Sequence, residues 1–233
     1  MGLLFSVIVP ALNEEAFIEK CLLSLSDQTA PRKKYEIIVS DSNSTDTTAE
    51  IAKTLADRVV SCRRHSAGFG RNFGTKHAKS GLFGFVDADT IASPTWIEGA
   101  LASLQKNIAA TGPIKSLEKD SLPIQLFYSW WSMQSHLSVL LGKPIFPGFN
   151  IAVRKISFQG VGGFSEKNFT CEDIDFSLKL KSIGRIGFSK KMLVETSGRR
   201  INETGYLTYV SNAWTHFLFN KSRTWQEHRK DFQ

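Results

Sequence analysis

Two aspartates separated by one residue follow directly after a short apolar run. Asp87 and Asp89 come after residues 82–86, and in an extended chain residues i and i+2 point to the same side. Two carboxylates at one point repel each other, so one of them resists ionising unless a cation lies between them. Hard oxygen ligands favour Mg²⁺ or Mn²⁺. The pair predicts a divalent-cation site, and the alternative is a polar strand end that leads into a helix.

A second polar segment, residues 41–46, reads Asp-Ser-Asn-Ser-Thr-Asp and follows the predicted strand at residues 35–40. Ligands of open α/β sheets bind at the carboxyl ends of parallel strands, where Asp41 is able to accept hydrogen bonds from a base or a ribose. The alternative is a turn that ends in a helix cap formed by Asn43 or Ser44.

A third acidic segment, residues 170–175, reads Thr-Cys-Glu-Asp-Ile-Asp and opens a predicted helix. Thr170 and Asp173 suit a helix-capping pair, which is the alternative to a catalytic role. The positive end of a helix lowers the pKa of a carboxyl group. A general base at Asp173 therefore requires burial or a nearby negative charge that raises its pKa again. Asp175 lies about 200° from Asp173 around the helix, so the two cannot serve one site equally.

Basic residues offer partners for phosphate at two places. Arg71 stands in the glycine-rich residues 67–74, where a helix start would meet a phosphate, although the glycine spacing is not that of the dinucleotide fingerprint. A plain glycine loop is the alternative. Arg199 and Arg200 suit a diphosphate because each guanidinium donates two parallel hydrogen bonds, and a solvated pair is the alternative.

The elements that position these residues alternate in the first half of the chain. Apolar runs predict strands at residues 4–10, 35–40, 58–62 and 82–86, and helical spacing predicts helices at residues 14–26, 45–56, 70–79 and 94–106. This alternation implies a parallel sheet with helices on both faces. The second half predicts strands at residues 108–116, 149–154, 185–189 and 192–196, and helices at 122–141, 171–183 and 205–220.

Composition bounds the class of protein. The 233 residues fit one domain, and 42% hydrophobic with 22% charged content is typical of a globular chain rather than a disordered one. The net charge of +7 fits nucleic acid, an anionic membrane or an anionic substrate without choosing among them. Three cysteines with no metal-site spacing indicate free thiols in a reducing compartment. With no signal peptide and no spanning apolar run, the sequence predicts a cytoplasmic protein.

The order of the motifs resembles that of the family 2 glycosyltransferases of the GT-A fold. The resemblance covers about residues 4–200. It rests on residues 6–15, 41–46, 71–74 (Arg-Asn-Phe-Gly), 87–89 (Asp-Ala-Asp), 148–150 (Gly-Phe-Asn) with Arg154, 161–164 (Val-Gly-Gly-Phe) and 172–173 (Glu-Asp).

The resemblance implies an α/β fold of the GT-A type, a Rossmann-like and mostly parallel sheet flanked by helices in a single domain. It implies a nucleotide-binding half at about residues 1–110, an acceptor half at about 111–200 and a C-terminal helix at about 203–222. It also implies the inverting, Mn²⁺- or Mg²⁺-dependent transfer of a sugar from a UDP- or GDP-sugar donor to a sugar or lipid-phosphate acceptor.

The resemblance also implies residue roles. Asp89 would ligate the metal, and Asp173 would be the general base. Contacts with the donor are expected from eight residues: Pro10, Asn13, Glu14, Asp41, Arg71, Asp87, Arg199 and Arg200. One segment departs from the family pattern Asp-Asp-Gly-Ser-Thr-Asp, because Ser42 and Asn43 replace the second Asp and the Gly. Asn tolerates the left-handed conformation that Gly supplies, so the turn is expected to survive.

Two segments, residues 122–146 and 205–219, are rich in aromatic side chains, and they predict peripheral contact with the inner face of a membrane. The alternative is core packing or a dimer interface. One helix face is expected to carry Leu126, Phe127, Trp130, Leu137, Leu140 and Leu141.

Three other functions compete with sugar transfer. A nucleotidyltransferase should carry a glycine-rich basic loop, and residues 7–15 contain neither Gly nor Lys. A non-catalytic nucleotide-sugar- or lipid-binding module of the same fold stays open. A nucleic-acid partner is not expected, because no basic-aromatic motif supports it.

Overall fold

The computed structural model describes residues 4–63, 66–166 and 172–199. Its strands are β1 (Phe5–Ala11), β2 (Tyr35–Asp41), β3 (Arg58–Ser61), β4 (Leu82–Phe85), β5 (Thr90–Ala92), β6 (Ala109–Thr111), β7 (Ile114–Ser116), β8 (Ile151–Arg154), β9 (Ile186–Phe188) and β10 (Val194–Thr196). Its helices are α1 (Ile18–Ser26), α2 (Thr48–Leu55), α3 (Ala67–Thr75), α4 (Trp96–Leu104), α5 (Leu122–Leu140), α6 (Lys155–Gly160) and α7 (Glu172–Ile183). The predicted C-terminal helix, Arg200 and Cys171 lie outside the described residues.

The central sheet has seven strands in the order β3-β2-β1-β4-β8-β6-β9. Strands β1 to β4 run parallel, β8 is antiparallel to both β4 and β6, and β9 is parallel to β6. The predicted mostly parallel sheet is therefore confirmed, with one antiparallel strand that the sequence did not indicate. From β1 the chain builds β2 and β3 on one side and then β4 on the other, so the strand order reverses between β1 and β4.

Strand β1 forms the centre of the core because both of its faces are covered. Val7 and Val9 belong to one hydrophobic cluster, and Ile8 between them belongs to the other. A strand buried on both faces reads as a continuous apolar run, which is why the sequence revealed it. Helix α3 lies close against it, since a Cβ on Gly74 would come within 2.5 Å of Ile8 Cγ2. The glycine-rich segment is thus a closely packed helix rather than a loop.

A second, three-stranded sheet follows the order β5-β10-β7. The single strand predicted at residues 108–116 is in fact two strands in different sheets. The break falls at Gly112 and Pro113, where a Cβ on Gly112 would lie 2.2 Å from the Met192 carbonyl oxygen. Proline also lacks the N–H that a continuous strand would use. This small sheet carries β10, whose end delivers Arg199 to the edge of the central sheet.

Helix α5 lies on the outside of the fold and packs against β7 and β9. Phe127, Tyr128 and Ile124 form its buried face. The prediction that Phe127 shares one helix face with Leu126 and Leu137 is wrong, because its side chain belongs to the larger core cluster whereas those two leucines are exposed. Among the helices of the described residues, none is both long and apolar enough to span a bilayer.

Candidate functional site

The loops after β1 and β2 interlock at the carboxyl edge of the central sheet. The side-chain oxygen of Asn13 accepts a hydrogen bond from the Thr45 N–H at 2.9 Å, and the Asn13 N–H donates to Ser44 Oγ at 3.0 Å. The Glu14 N–H donates to Thr48 Oγ1 at 2.7 Å. Asn13 adopts a left-handed φ of 53°. Because of these contacts, α1 begins at Ile18 and not at residue 14 as predicted. They also hold the Glu14 side chain inside the site.

Asp41 ends β2, and its carboxylate is buried against its own loop. Asp41 Oδ1 accepts from Ser44 Oγ at 2.6 Å, and Oδ2 accepts from the Ser44 N–H at 3.2 Å. Asn43 adopts a φ of 58°, as its replacement of glycine led us to expect, and its Oδ1 accepts from Ser61 Oγ at 2.6 Å. The predicted turn is present, but neither Asn43 nor Ser44 caps the next helix, since α2 begins at Thr48 after Thr47. A contact of Asp41 with a base stays a prediction.

Asp87 and Asp89 lie in a turn and not in an extended chain. Strand β4 ends at Phe85, and the Thr90 N–H donates to the Asp87 carbonyl oxygen at 3.0 Å. The expectation that the two carboxylates converge as strand neighbours is therefore wrong. Each carboxylate instead faces a different arginine, since Asp87 lies 2.8 Å from Arg71 and Asp89 lies 3.6 Å from Arg199.

Arg71 sits in the middle of α3 rather than at its start, and its side chain is only 3% exposed. Its Nη2 donates to Asp87 at 2.8 Å, its Nη1 donates to Glu172 at 2.9 Å, and its guanidinium lies over the Phe164 ring at 5.1 Å. Burial alone would lower the pKa of Arg71. The two ion pairs outweigh burial and hold that pKa above its usual value. The predicted phosphate-facing guanidinium is thus enclosed by two carboxylates.

Asp173 and Glu172 open helix α7 beside this arginine. Asp173 Oδ2 accepts from the Gly148 N–H at 3.0 Å, and Oδ1 accepts from the Ile174 N–H at 2.9 Å. Burial raises the pKa of Asp173. Burial and the neighbouring Asp173 carboxylate raise the pKa of Glu172 to about 7. The burial that a general base at this helix start requires is therefore present.

Arg199 joins two acidic residues that come from different loops. Its Nη2 forms an ion pair with Glu14, lies 3.6 Å from Asp89, and its guanidinium covers the Phe17 ring at 5.0 Å. The Ser197 N–H also donates to the Asp89 carbonyl oxygen at 3.2 Å. Three of the predicted site residues, Glu14, Asp89 and Arg199, are thus brought together at the point where the strand order reverses.

Glu118 was missed by the sequence reasoning, although it anchors the chain that carries Arg199. Its carboxylate accepts from Ser116 Oγ at 2.9 Å, from Ser197 Oγ at 2.9 Å and from the Gly198 N–H at 2.9 and 3.0 Å. Burial opposes ionisation of Glu118, but these hydrogen bonds outweigh it and hold its pKa below the usual value. No motif surrounds Glu118 in the sequence, so nothing there could have found it.

Asn150 is a fully buried hub behind the site. Its Nδ2 donates to the carbonyl oxygens of Gly112 at 3.1 Å and Met192 at 3.0 Å, and its Oδ1 accepts from Trp96 Nε1 at 2.8 Å. These bonds tie the two sheets together. The sequence singled out Asn150 only through the resemblance, without a role.

The carboxylates fit a divalent cation only in part. Within the described residues, no three His, Cys, Asp or Glu side chains gather closely enough to hold an ion by themselves. Mg²⁺ and Mn²⁺ accept oxygen ligands and are commonly completed by substrate phosphates and water. Asp89 therefore suits a cation whose other ligands come from a phosphate-bearing molecule and water, and the protein alone would hold such an ion only weakly.

The seven-stranded sheet, with acidic residues at the point where its strand order reverses, places the chain in the GT-A fold class. A 22% identical structure, the mannosyltransferase PcManGT from Pyrobaculum calidifontis with GDP-Man and Mn²⁺, matches with a TM-score of 0.66 over 91% of this chain and 64% of that one. S. aureus TarS residues 1–349 with UDP, 23% identical, matches with a TM-score of 0.68 over 89% of this chain and 65% of that one. At these identities the likeness shows the fold alone.

The family model described as glycosyl transferase family 2 matches residues 6–160, and the chain belongs to this family. Glycosyltransferase AglE of Haloferax volcanii is 30% identical over 105 residues, which are 42% of this chain and 34% of that protein. The chain thus spans about a third of the length of this relative.

Proposed function

We propose that this protein transfers a sugar from a UDP- or GDP-sugar donor to an acceptor, with the help of Mn²⁺ or Mg²⁺. One observation carries the proposal: Glu14, Asp89 and Arg199 meet where the strand order reverses between β1 and β4. Ligands of open α/β sheets bind at this point. Family membership and the nucleotide or nucleotide sugar bound in the two related structures support a nucleotide-sugar ligand.

The donor would lie along the interlocked loops. Pro10, Asn13 and Asp41 would line the base and ribose, and Asp87 would reach the ribose or the metal. Asp89 would ligate the cation, which supplies positive charge against the leaving diphosphate. Arg199, with Arg200 next to it in the sequence, would add hydrogen bonds to the same diphosphate.

Asp173 would accept the proton of an attacking acceptor hydroxyl. Its raised pKa supports this role, because a general base works best when its pKa approaches the working pH. Direct attack on the anomeric carbon from the face opposite the diphosphate inverts its configuration. If the acceptor is a lipid phosphate, its oxygen is already ionised, and Asp173 would orient the acceptor instead.

The first test measures release of nucleoside diphosphate from a panel of UDP- and GDP-sugars, with Mn²⁺, with Mg²⁺ and with EDTA. We expect one donor to be hydrolysed slowly in a metal-dependent manner, and Asp89→Ala to abolish this release. Asp120→Asn removes an exposed carboxylate and should leave it unchanged. With acceptor present, Asp173→Asn should lower the rate about 10²- to 10⁴-fold.

Two other outcomes discriminate among the hypotheses. Metal-dependent donor binding by calorimetry without any release, with or without acceptor extracts, would favour the non-catalytic nucleotide-sugar-binding module. Neither binding nor release would contradict the proposed function and leave the acidic motifs as turns and caps.

Helix α5 supports peripheral contact with an anionic membrane. Residues 122–142 contain no Asp, Glu, Lys or Arg. The outer face of this segment carries seven exposed apolar side chains: Leu122, Leu126, Trp130, Met133, Leu137, Leu140 and Leu141. The nearest charged residues are Asp120 and Lys119 before the segment and Lys143 after it. An apolar face with Trp and flanking basic residues is typical of helices that lie in a membrane interface.

Co-sedimentation with vesicles of 70:30 phosphatidylcholine and phosphatidylglycerol tests this contact. We expect the full chain to bind, and the double substitution Leu126→Gln with Leu137→Gln to abolish binding. Leu23→Gln, which changes an exposed leucine on α1, is the matched control. Another outcome is that the wild type does not bind vesicles and the double variant has a different oligomeric mass. The exposed face of α5 would then contact a second copy of the chain instead of a membrane.

We also propose that the chain works as one domain on the cytoplasmic side. The nucleotide-binding half, about residues 1–110, and the acceptor half, about 111–200, share the central sheet, which supports a single unit. Cell fractionation that recovers the protein outside the cytoplasm and the inner membrane face would contradict the location.

A further inference from the structure

Arg199 neutralises two carboxylates that the proposed function requires for other partners. The side chains of Glu14 and Asp89 are only 8% and 7% exposed, whereas that of Arg199 is 30% exposed. Arg199 lies 3.6 Å from the Asp89 carboxylate, close enough to compete with any other cation there. Two cations at one buried carboxylate repel each other, so binding of one weakens binding of the other.

Hydrogen bonds hold the backbone of the two residues before Arg199, although the side chain of Arg199 is accessible. Glu118 accepts hydrogen bonds from the Gly198 N–H, and Tyr128 donates through its hydroxyl to the Ser197 carbonyl oxygen at 3.0 Å. Side-chain rotation alone is then enough to move the guanidinium away from Asp89. The long, flexible arginine side chain keeps its charge inside the site after such a rotation.

We propose that Arg199 is the resident counter-cation of Asp89 and is exchanged when ligands bind. A divalent cation takes the Asp89 carboxylate, and the released guanidinium moves onto the diphosphate that arrives with the cation. That the new partner of Arg199 is a diphosphate rests on the proposed function. The competition between Arg199 and a divalent cation for Asp89 does not. The exchange makes a cation alone bind weakly and makes the nucleotide and the cation bind in a coupled way.

The exchange predicts effects of opposite sign when the arginine is removed. Arg199→Met keeps the length of the side chain and deletes its charge. It should strengthen binding of Mn²⁺ alone about tenfold, because a competitor for Asp89 is lost, and weaken binding of metal-free UDP or GDP about tenfold, because a charged hydrogen-bond donor is lost. A residue that merely supports the fold would weaken both.

The experiment measures free Mn²⁺ by electron paramagnetic resonance and nucleotide binding by calorimetry on the full chain. Lys191→Met is the matched control, since it deletes the same charge from an exposed pair with Glu98. Arg199→Lys keeps the charge and should bind Mn²⁺ alone as weakly as the wild type does. Circular dichroism checks that each variant is folded, and Arg199→Gln, which also deletes the charge, repeats both measurements if Arg199→Met is not folded.

Unchanged or weaker binding of Mn²⁺ alone by folded Arg199→Met would overturn the exchange. The failure of the proposed function looks different, because then the wild type binds neither UDP nor GDP under any condition. The Mn²⁺ measurement alone still reports competition at Asp89 in that case.

Discussion

Two arginines each bridge a pair of buried acidic residues at this site, and the two arrangements differ chiefly in the exposure of the arginine side chain. Arg71 joins Asp87 to Glu172 with 3% of its side chain exposed, and an aromatic ring covers its guanidinium. Arg199 faces Glu14 and Asp89 with 30% of its side chain exposed. The same combination of charges therefore gives one enclosed cluster and one accessible cluster.

Position in the fold explains the difference. Arg71 projects from the middle of α3, a helix that lies against β1, and it is closed in by the turn before β8. A Cβ on Gly148 would come within 2.6 Å of its guanidinium, so even a methyl group would not fit there. Arg199 instead follows β10 at the edge of the site. We infer that the Arg71 cluster sets the geometry of Asp87 and Asp173. The Arg199 cluster instead allows Arg199 to exchange its carboxylate partner.

The sharpest test of this contrast compares the two arginines in stability. Arg71→Met leaves Asp87 and Glu172 without their buried partner, and we expect the free energy of unfolding to fall by about 3–5 kcal/mol. Arg199→Met should cost less, about 1–3 kcal/mol, because water reaches the 30% exposed arginine although the two carboxylates it leaves behind are buried. Urea unfolding followed by circular dichroism measures both.

The unfolding curves also test the domain organisation. One cooperative transition is expected if the nucleotide-binding and acceptor halves fold together. Equal losses for the two arginine variants would contradict the division into an enclosed and an exchangeable cluster, and two separate transitions would contradict a single domain.

The sequence predicts the first half of the fold well for a physical reason. Strands β1, β2 and β4 were recognised because their burial makes them largely apolar, whereas β3 at the sheet edge is only partly buried. The observed bounds of all four differ from the predicted ones by at most one residue at either end. Strand β5 has only three residues and no such pattern. The division of β6 from β7 depends on a backbone contact with Met192, which is distant in the sequence.

The site was predicted in its residues but not in its pairings. Asp87, Asp89 and Arg199 follow predicted strands, and this position made them visible. The ion pair of Arg71 with Glu172 spans 101 residues, and no local spacing reveals it. The extended geometry assumed for residues 87–89 failed because β4 ends two residues before Asp87 and the chain turns there.

A smaller effect distinguishes the clusters by pH. The pKa of Glu172 is raised in the folded protein to about 7, so between its usual acidic range and pH 7 the folded state binds more protons than the unfolded state. The free energy of unfolding therefore falls as the pH rises through this window. We expect a loss on the order of 2–3 kcal/mol between about pH 5 and pH 8, since the raised pKa already includes the opposing effect of Arg71.

Glu172→Gln keeps a side chain of the same shape and should flatten this pH dependence, because no proton is then bound at position 172. Urea unfolding at several pH values measures the slope. Glu98→Gln is the control. Lys191 lowers the pKa of Glu98, so the Glu98 carboxyl changes stability only at more acidic pH. If the slope persists in Glu172→Gln and disappears in Glu14→Gln, the pH-dependent charge belongs to the Arg199 cluster. In that case Glu172 would ionise in the folded protein without a cost in stability, because the charge of Arg71 would fully compensate its negative charge.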